Sequence, residues 1–459
     1  MESSRSIVCI EMKYPYGKQR VFQSGSLIAI TARLNVMGYE VVLLDLNIHE
    51  ETSTFVQQHI SKASYICISL TGTPYVPDAI AFARKLVTLG TPILFGGQGA
   101  ETLSQRQFDS LFCNTNAIRI ATEMDLLSVL GIKGVYPSVF EIDYTSVWKS
   151  LDEQSVKTYL QNEMTLVISQ GCLYRCNFCA AKKNRPEIFR DLKNFESDLR
   201  YIAEEAKKHE IYKIKFYASS LDFFQSALVD KNEIMIERVL KIMAHVRKDT
   251  GIDIQTRCLS TMISFLKASE RIADLGKLLN EAGLNRIGFG VDGSDPAVWK
   301  SQKKTHNKPH QILECIEQTA TYGVSSEILM VVGFPQDTMK TLILNILSAF
   351  RYSKYKNVIL RAYMAKVTAP GNDEWNEETA KPFIDDPTRF QQIDYCAFAN
   401  KATHPRLWHR MMSNICYGTL MVLFSLSGRS VTYPVFPIRG NIFKKRIATY
   451  LNDLMPGVD

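Results

Sequence analysis

Thr165-Leu-Val-Ile-Ser-Gln-Gly-Cys172-Leu-Tyr-Arg-Cys176-Asn-Phe-Cys179 is an apolar, strand-like run that ends in three cysteines spaced four and three residues apart. Spacings this short place three thiols on one loop after a strand, where they can wrap three corners of an inorganic cube. Thiolates are the soft donors that iron–sulfur clusters take, and three protein ligands in place of four leave one iron open to chelate a small molecule. A structural zinc site would want a fourth Cys or His at companion spacing, yet the next His is His209 and the next Cys is Cys258. Chance clustering of core cysteines is the other plain reading, against which stand the loop position and the aromatic Phe178 before the last thiol. Cys172, Cys176 and Cys179 are therefore the expected ligands of a [4Fe-4S] cluster with an open corner.

Strand-like runs follow at YKIKFYA, IDIQTR, RIGFGVD, SSEILMVVG and NVILRAYMA, each preceded by a helix-length segment. With TLVISQG they give six strands alternating with helices, an α/β pattern that predicts a partial (β/α) barrel over residues 162–371. Residues 372–459 read as a helical region, where Trp375, Phe390, Tyr395, His404, His409 and Arg410 stand out without forming a pocket code. Before the cysteines the same rhythm appears over residues 1–130: SIVCIE, a helix through SLIAITARLNVMG, YEVVLLDL, a helix through TFVQQHIS, YICISL, a helix through PDAIAFARKLVTLG, TPILFGG and a short unit at AIRIAT. This predicts a Rossmann-like, doubly wound parallel sheet whose ligands sit at the carboxyl ends of its strands. Residues 131–161, with GVYPSVFEIDYTSVW, read as a packed linker.

The 459 residues suffice for two or three domains, and 46% hydrophobic with 22% charged residues is ordinary for a globular chain. The net charge of +7 is spread along the chain, so no nucleic-acid partner is expected. MESSRSIVCIEMKYPYGK has no signal-peptide order, and a cytoplasmic setting is expected. The apolar stretch Ile415 to Leu426 is broken by Gly418, Thr419 and Ser425. It falls short of the roughly 20 residues of a membrane span and reads as a buried helix, with interfacial contact as the alternative. In a reducing compartment Cys9, Cys67, Cys113, Cys258, Cys315, Cys396 and Cys416 stand alone and read as structural, several of them, in apolar runs such as SIVCI and SYICISL, as small buried hydrophobes.

CxxxCxxC with an aromatic residue before the last cysteine resembles the signature of the radical-SAM superfamily, and the resemblance covers the whole second domain. It implies that the open iron chelates S-adenosylmethionine and that one electron breaks the sulfonium to give a 5′-deoxyadenosyl radical. Further residues fall in the family's order. Tyr217-Ala-Ser219-Ser220 stands where relatives hold the methionyl amine, although Ala218 and Ser219 replace the acidic residues common in cobalamin-linked relatives. Arg257 stands where the carboxylate is met. Gly288-Phe-Gly290-Val-Asp292-Gly-Ser294, with Asp292 in place of the usual Glu, resembles the fourth strand. Val332-Gly333-Phe334-Pro335 resembles the fifth, near adenine, and Ala369-Pro370-Gly371 echoes the pair after the sixth. Phe178, Ser219, Ser220, Arg257, Asp292, Gly333 and Pro335 are thus the implied nucleoside contacts. Taken singly, Arg257 suits a structural salt bridge as well, and the serines and Gly333-Phe-Pro335 suit ordinary turns.

Residues 5–130 resemble the cobalamin-binding domains fused upstream of such cores. The landmarks are Gly38-Tyr-Glu-Val41 leading to Asp45, Ser69-Leu-Thr71-Gly72-Thr73-Pro74, Gly96-Gly97-Gln98-Gly99 and Ala121-Thr122-Glu123. Where related domains carry DxHxxG, this chain has Glu11-Met-Lys13-Tyr14-Pro15-Tyr16-Gly17. The resemblance therefore implies a corrinoid with no His beneath its cobalt, contacted by Lys13, Tyr14, Ser69, Thr71, Gly72, Thr73, Gly96, Gly97, Gln98 and Glu123. A sheet that has lost its corrinoid is the alternative. No GxGxxG opens the first helix, so a dinucleotide is not expected, and His49 and His59 read as surface residues.

Together the resemblances imply a cobalamin-dependent radical-SAM methyltransferase acting on an unactivated carbon of a small molecule or peptide, with a reductant such as flavodoxin or ferredoxin and no membrane partner. A non-methylating outcome such as ring contraction or cyclisation, and a corrinoid-binding protein with a silent core, are the alternatives.

Overall fold

The computed structural model describes residues 6–15, 23–134, 136–181, 185–366, 369–393 and 398–426. β1 (Ser6–Glu11), β2 (Glu40–Asp45), β3 (Tyr65–Ser69), β4 (Ile93–Gly96) and β5 (Ala117–Arg119) pair in parallel in the order β2-β1-β3-β4-β5. That order reverses between β1 and β3, the place where a doubly wound sheet opens a crevice at its carboxyl edge. Ile7, Cys9, Val41, Leu43, Cys67 and Leu94 pack toward Leu27, Ile28 and Ala32 of the helix Gly25–Val36. Val8, Ile10, Leu44, Ile66, Ile68 and Phe95 pack on the opposite face with Val56, Ile80 and Phe108. Successive residues go to opposite faces and both faces are covered, which is why these strands read as unbroken apolar runs.

β6 (Glu163–Val167) leads into an antiparallel ribbon of β7 (Ser169–Cys172) and β8 (Arg185–Phe189). β9 (Lys213–Ser219), β10 (Asp253–Ser260), β11 (Leu284–Gly290), β12 (Ser325–Val332) and β13 (Val358–Met364) continue the main sheet, parallel throughout, in the order β13-β12-β11-β10-β9-β6. Among the described residues no pairing joins β13 to β6, so this is an open barrel of six strands. Ile214, Phe216, Ala218, Ile254, Cys258, Ile287, Phe289, Ile328 and Met330 belong to the core shared with the outer helices. Alternation turns Tyr217, Ser219 and Arg257 to the other, concave side.

The run TLVISQG is not one strand. β6 stops at Val167, and the register of β7 against β8 shifts between Gln170 and Cys172, where Gly171 takes φ 118°. A glycine bulge thus turns the chain out of the main sheet and re-aims the cysteine loop.

The expected linker contains the helices Thr145–Ser150 and Glu153–Gln161. Its Ile142, Tyr144 and Val147 pack with the first sheet, while Trp148, Val156 and Tyr159 join the barrel core. The region after residue 371 divides in two: Phe383, Phe390 and Ile393 return to the first sheet's core, and the helix Leu407–Leu426 sends Cys416, Tyr417 and Leu420 into the barrel's. That helix is not wholly buried as expected, since Ile415 and Val422 are 56% and 57% exposed. Among the described residues no helix is long and apolar enough to cross a membrane. Cys9, Cys67, Cys258, Cys315 and Cys416 are buried thiols, whereas Cys113 is exposed. Tyr16, Gly17, Tyr395, Cys396 and residues 427–459 lie outside the described residues.

Candidate active site

Cys172 closes β7, and Cys176 and Cys179 follow on the loop before β8. Leu173 N donates to Gln225 Oε1 at 2.8 Å, Asn177 N to the Gln302 carbonyl at 3.0 Å, and Cys179 N to the Cys176 carbonyl at 3.1 Å. Tyr174 stacks on His306 with ring centroids 3.7 Å apart. The loop is thereby fastened to segments distant in sequence. Burial, with a smaller contribution from neighbouring thiols of the triad, pushes the Cys172 thiol up to about 11 and that of Cys176 to about 12. Three thiolates so placed repel unless cationic metal offsets them, which suits a cluster-binding donor set. Among the described residues no three His, Cys, Asp or Glu side chains converge on a single ion.

Lys304 was not singled out in the sequence, where it lies in the charged run Lys303-Lys304 and resembles a solvated pair. Lys303 is 65% exposed on its side chain, but Lys304 is 7% exposed as a residue, its ammonium paired with Asp292 and 5.7 Å from the Phe178 ring centroid. Its charge lowers the pKa of both Cys172 and Cys176. Asp292, expected to face a nucleoside, instead holds this lysine. The backbone there takes φ 50°, fixed by Asn307 Nδ2 donating to the Gly290 and Val291 carbonyls at 3.1 Å and by Trp299 Nε1 donating to Val291 O at 2.9 Å. His306 stays neutral, because burial, and then Lys304, take it down to about 3.

Arg257, expected to meet a bound carboxylate, is held by one of the chain's own: its Nε and Nη2 donate to Glu163 at 2.9 and 2.7 Å. It also lies 4.3 Å from the Tyr217 ring centroid. The structural salt bridge is thus the arrangement present, a bidentate one. After β12, Gly333 takes φ 88°, and a Cβ there would sit 2.6 Å from the Met364 sulfur. Asp337 accepts from Gly333 N and Phe334 N at 2.7 and 2.9 Å, while His404 Nε2 and His409 Nε2 each lie 2.8 Å from the carbonyls of Gly333 and Phe334. Phe334 in turn meets Phe178 at 5.4 Å, and Phe178 and Pro335 line a recess of about 70 Å³ with Asn177 and Gln336.

A cavity of about 580 Å³ runs between the barrel and the first sheet. Cys172, Ser169, Ser219 and Ser220 form one wall, and Ser69, Thr71, Gly97 and Gln98 form the other. A second cavity of about 290 Å³ begins at Ser69 and Gly97 and continues past Gly96 to Glu123, whose carboxylate is paired with Arg33. Gly97 takes φ 87°, and a Cβ would stand 3.0 Å from the Leu70 carbonyl, so this close approach of two strand ends needs glycine. Gly72 and Thr73 border neither cavity; Gly72 precedes the short 3₁₀ turn Thr73–Tyr75 that Thr73 opens. Lys13 and Tyr14 are also apart from the others, lining a separate cavity of about 520 Å³ in which Lys13 pairs with Glu50 at 3.7 Å. His49 is not a surface residue as expected: its side chain is 10% exposed and lies 3.0 Å from Asp152.

Residues 166–344 match the family model of the radical SAM superfamily. This stretch is a radical SAM domain. Its bounds take in the cysteine loop, Lys304 and the turn after β12. No curated protein matches the chain in sequence. Among solved structures, the radical S-adenosylmethionine methyltransferase TsrM from Kitasatospora setae, with cobalamin and a [4Fe-4S] cluster bound, superposes with a TM-score of 0.61 at 14% identity, covering 82% of this chain and 79% of TsrM. TsrM with tryptophan substrate and a SAM analogue bound gives 0.60 at 15% identity, covering 82% of this chain and 77% of TsrM. The cobalamin-dependent S-adenosylmethionine radical enzyme OxsB, with aqua-cobalamin and S-adenosylmethionine bound, gives 0.61 at 14%, covering 85% of this chain and 56% of OxsB. At these identities the likeness is one of fold, and it extends beyond the radical SAM domain to the first sheet.

Proposed function

We propose that this chain is a cobalamin-dependent radical SAM enzyme that cleaves S-adenosylmethionine reductively and methylates a carbon of a small molecule or peptide. The observation that carries the reading is the shared cavity of about 580 Å³, with Cys172 in one wall and the carboxyl ends of the first sheet in the other. The fold shared with TsrM and OxsB, solved with cobalamin, supports it. Cys172, Cys176 and Cys179 would hold a [4Fe-4S] cluster, which when bound supplies the electron that breaks the sulfonium. Ser69, Thr71, Gly96, Gly97, Gln98 and Glu123 would hold a corrinoid, which when bound would supply the methyl group. Phe178, Gly333 and Pro335 would meet the nucleoside, and Ser219 and Ser220 its methionyl end. The functional units in this reading are residues 1–130, 131–161, 162–371 and 372–459.

The chain's own work is positional. Lys304 offsets the charge gathered at the thiolates, the histidine pair keeps the turn at Gly333 in place, and Ile30, Val139, Phe140 and Val167 keep the shared cavity dry enough for a reactive carbon radical. The reading places the chain in the cytoplasm with a flavodoxin- or ferredoxin-type reductant. A non-methylating outcome is the second reading, since OxsB, matched as well as TsrM, is named only as a cobalamin-dependent radical enzyme. Anaerobic protein given dithionite and S-adenosylmethionine is expected to release 5′-deoxyadenosine, and the product to gain one methylene in mass. Release of the nucleoside without that gain selects the second reading, and no nucleoside at all overturns both.

A further inference from the structure

Two neighbouring helices on the outer side of β12 and β13 are apolar on both of their sides. On the helix Met339–Tyr352, Leu342, Ala349 and Tyr352 enter the barrel core, while Met339, Ile343, Leu347 and Phe350 are 43–59% exposed. Their spacing of four, four and three residues lines them along one face. On the helix Leu407–Leu426, Cys416, Tyr417 and Leu420 enter the same core, while Trp408, Ile415 and Val422, seven residues apart, are 56–65% exposed. Cys416 Sγ, 3.5 Å from the Leu342 carbonyl, joins the two helices. A helix apolar all round belongs in apolar surroundings on both sides, and two exposed stripes on adjacent helices mark a docking face.

The charges around this face have one sign. Neither helix contains an Asp or Glu. Exposed Lys340, Arg351 and Lys354 border the first stripe and exposed Arg406 the second, and Lys354 Nζ stands 5.5 Å from the Phe350 ring centroid. Asp337, just before the first helix, is turned inward onto the amides of Gly333 and Phe334, and Glu317 of the helix Pro309–Thr321 meets Tyr355, past the first helix's other end. A second copy of the chain would bring the same cations and no acid to meet them, whereas anionic headgroups complement a basic rim around apolar side chains. Trp408 is of the side-chain type that anchors at a membrane interface. Among the described residues no helix is long and apolar enough to cross a membrane, so a lipid contact here is one with the surface. We propose that this two-helix face docks on an anionic lipid surface, the apolar stripes entering the headgroup layer and the basic rim meeting its phosphates. The interfacial alternative for Ile415 to Leu426 thereby extends to a second helix, against the expectation of no membrane partner.

The test is flotation of the anaerobically reconstituted full chain with phosphatidylcholine vesicles containing phosphatidylglycerol, and with vesicles of phosphatidylcholine alone. Flotation is expected with the first and little with the second, and raised salt is expected to abolish it. Lys340→Gln with Lys354→Gln is expected to weaken binding roughly twentyfold, about fivefold for each charge lost. Leu347→Ser with Ile415→Ser, at two exposed positions, is expected to weaken it roughly tenfold or more at an unchanged melting temperature. No flotation of the wild-type chain, equal flotation with both vesicles, or variants that float as the wild type does overturns the proposal. Self-association in vesicle-free solution that Leu347→Ser with Ile415→Ser abolishes gives the face to a second copy, and overturns it too. Should the serine variant unfold, the lysine variant decides alone. The reading of the cofactors stands or falls separately, on the release of 5′-deoxyadenosine.

Discussion

Lys304 stands between two sets of negative groups, the carboxylate of Asp292 and the sulfurs of Cys176 and Cys179. Removing a buried ion's partner costs more than removing the pair. Lys304→Met is expected to lower the unfolding free energy by about 3–5 kcal/mol in urea titrations, and Lys304→Met with Asp292→Asn to restore much of it. Asn is the partner of choice because it tolerates the left-handed backbone at that position. Glu187, which accepts from Ser169 Oγ at 2.6 Å, carries a pH signature of definite sign. Its pKa is raised from 4.5 to about 7, so the folded state keeps a proton that the unfolded state has lost. The stability it contributes is complete below pH 4.5 and lost as pH rises through about 7. Measured against Glu187→Gln, wild-type melting temperatures should therefore fall across that interval and run parallel above it; a difference that stays constant would exclude the assignment. The three cysteines were legible in the sequence because their spacing is local. Lys304 and Glu187 were not, and His404 and His409 stood out without a role, because burial and long-range partners, not neighbours in sequence, give each its role.

Elements were legible where hydrophobic runs are long. All five strands of the first sheet and the later five of the barrel appear where apolar, β-branched runs were read. The ribbon of β7 and β8 was missed, since β7 has four residues and its separation from β6 depends on the glycine bulge. Gly97 marks the element boundary that shapes both cavities: Gly97→Ala forces a positive-φ residue against the Leu70 carbonyl and is expected to cost about 1–3 kcal/mol in urea unfolding. On the helix Leu407–Leu426 the two faces predict opposite outcomes. Leu420 is fully buried, so Leu420→Ala is expected to cost about 2–5 kcal/mol, while Ile415→Lys on the exposed face should stay within about 0.5 kcal/mol.

For the molecule as a whole, the sequence separated a doubly wound sheet from a barrel but did not show how other segments pack against each of their cores. The linker's Tyr144 and Trp148 turn to different halves, and Phe383 and Phe390 cross back from beyond the barrel to the first sheet. Contacts between residues so far apart leave no periodic trace. They set the cavity that joins Cys172 to Gly97, and with it the proposal that one substrate meets both cofactors. That account stands on the cysteine loop holding iron. The most direct measurement is iron and acid-labile sulfide on anaerobically reconstituted wild type and Cys176→Ala: about four of each per wild-type chain is expected, with loss of most of both in the variant. A wild-type chain without iron or sulfide, or a variant that retains the full complement, would contradict it.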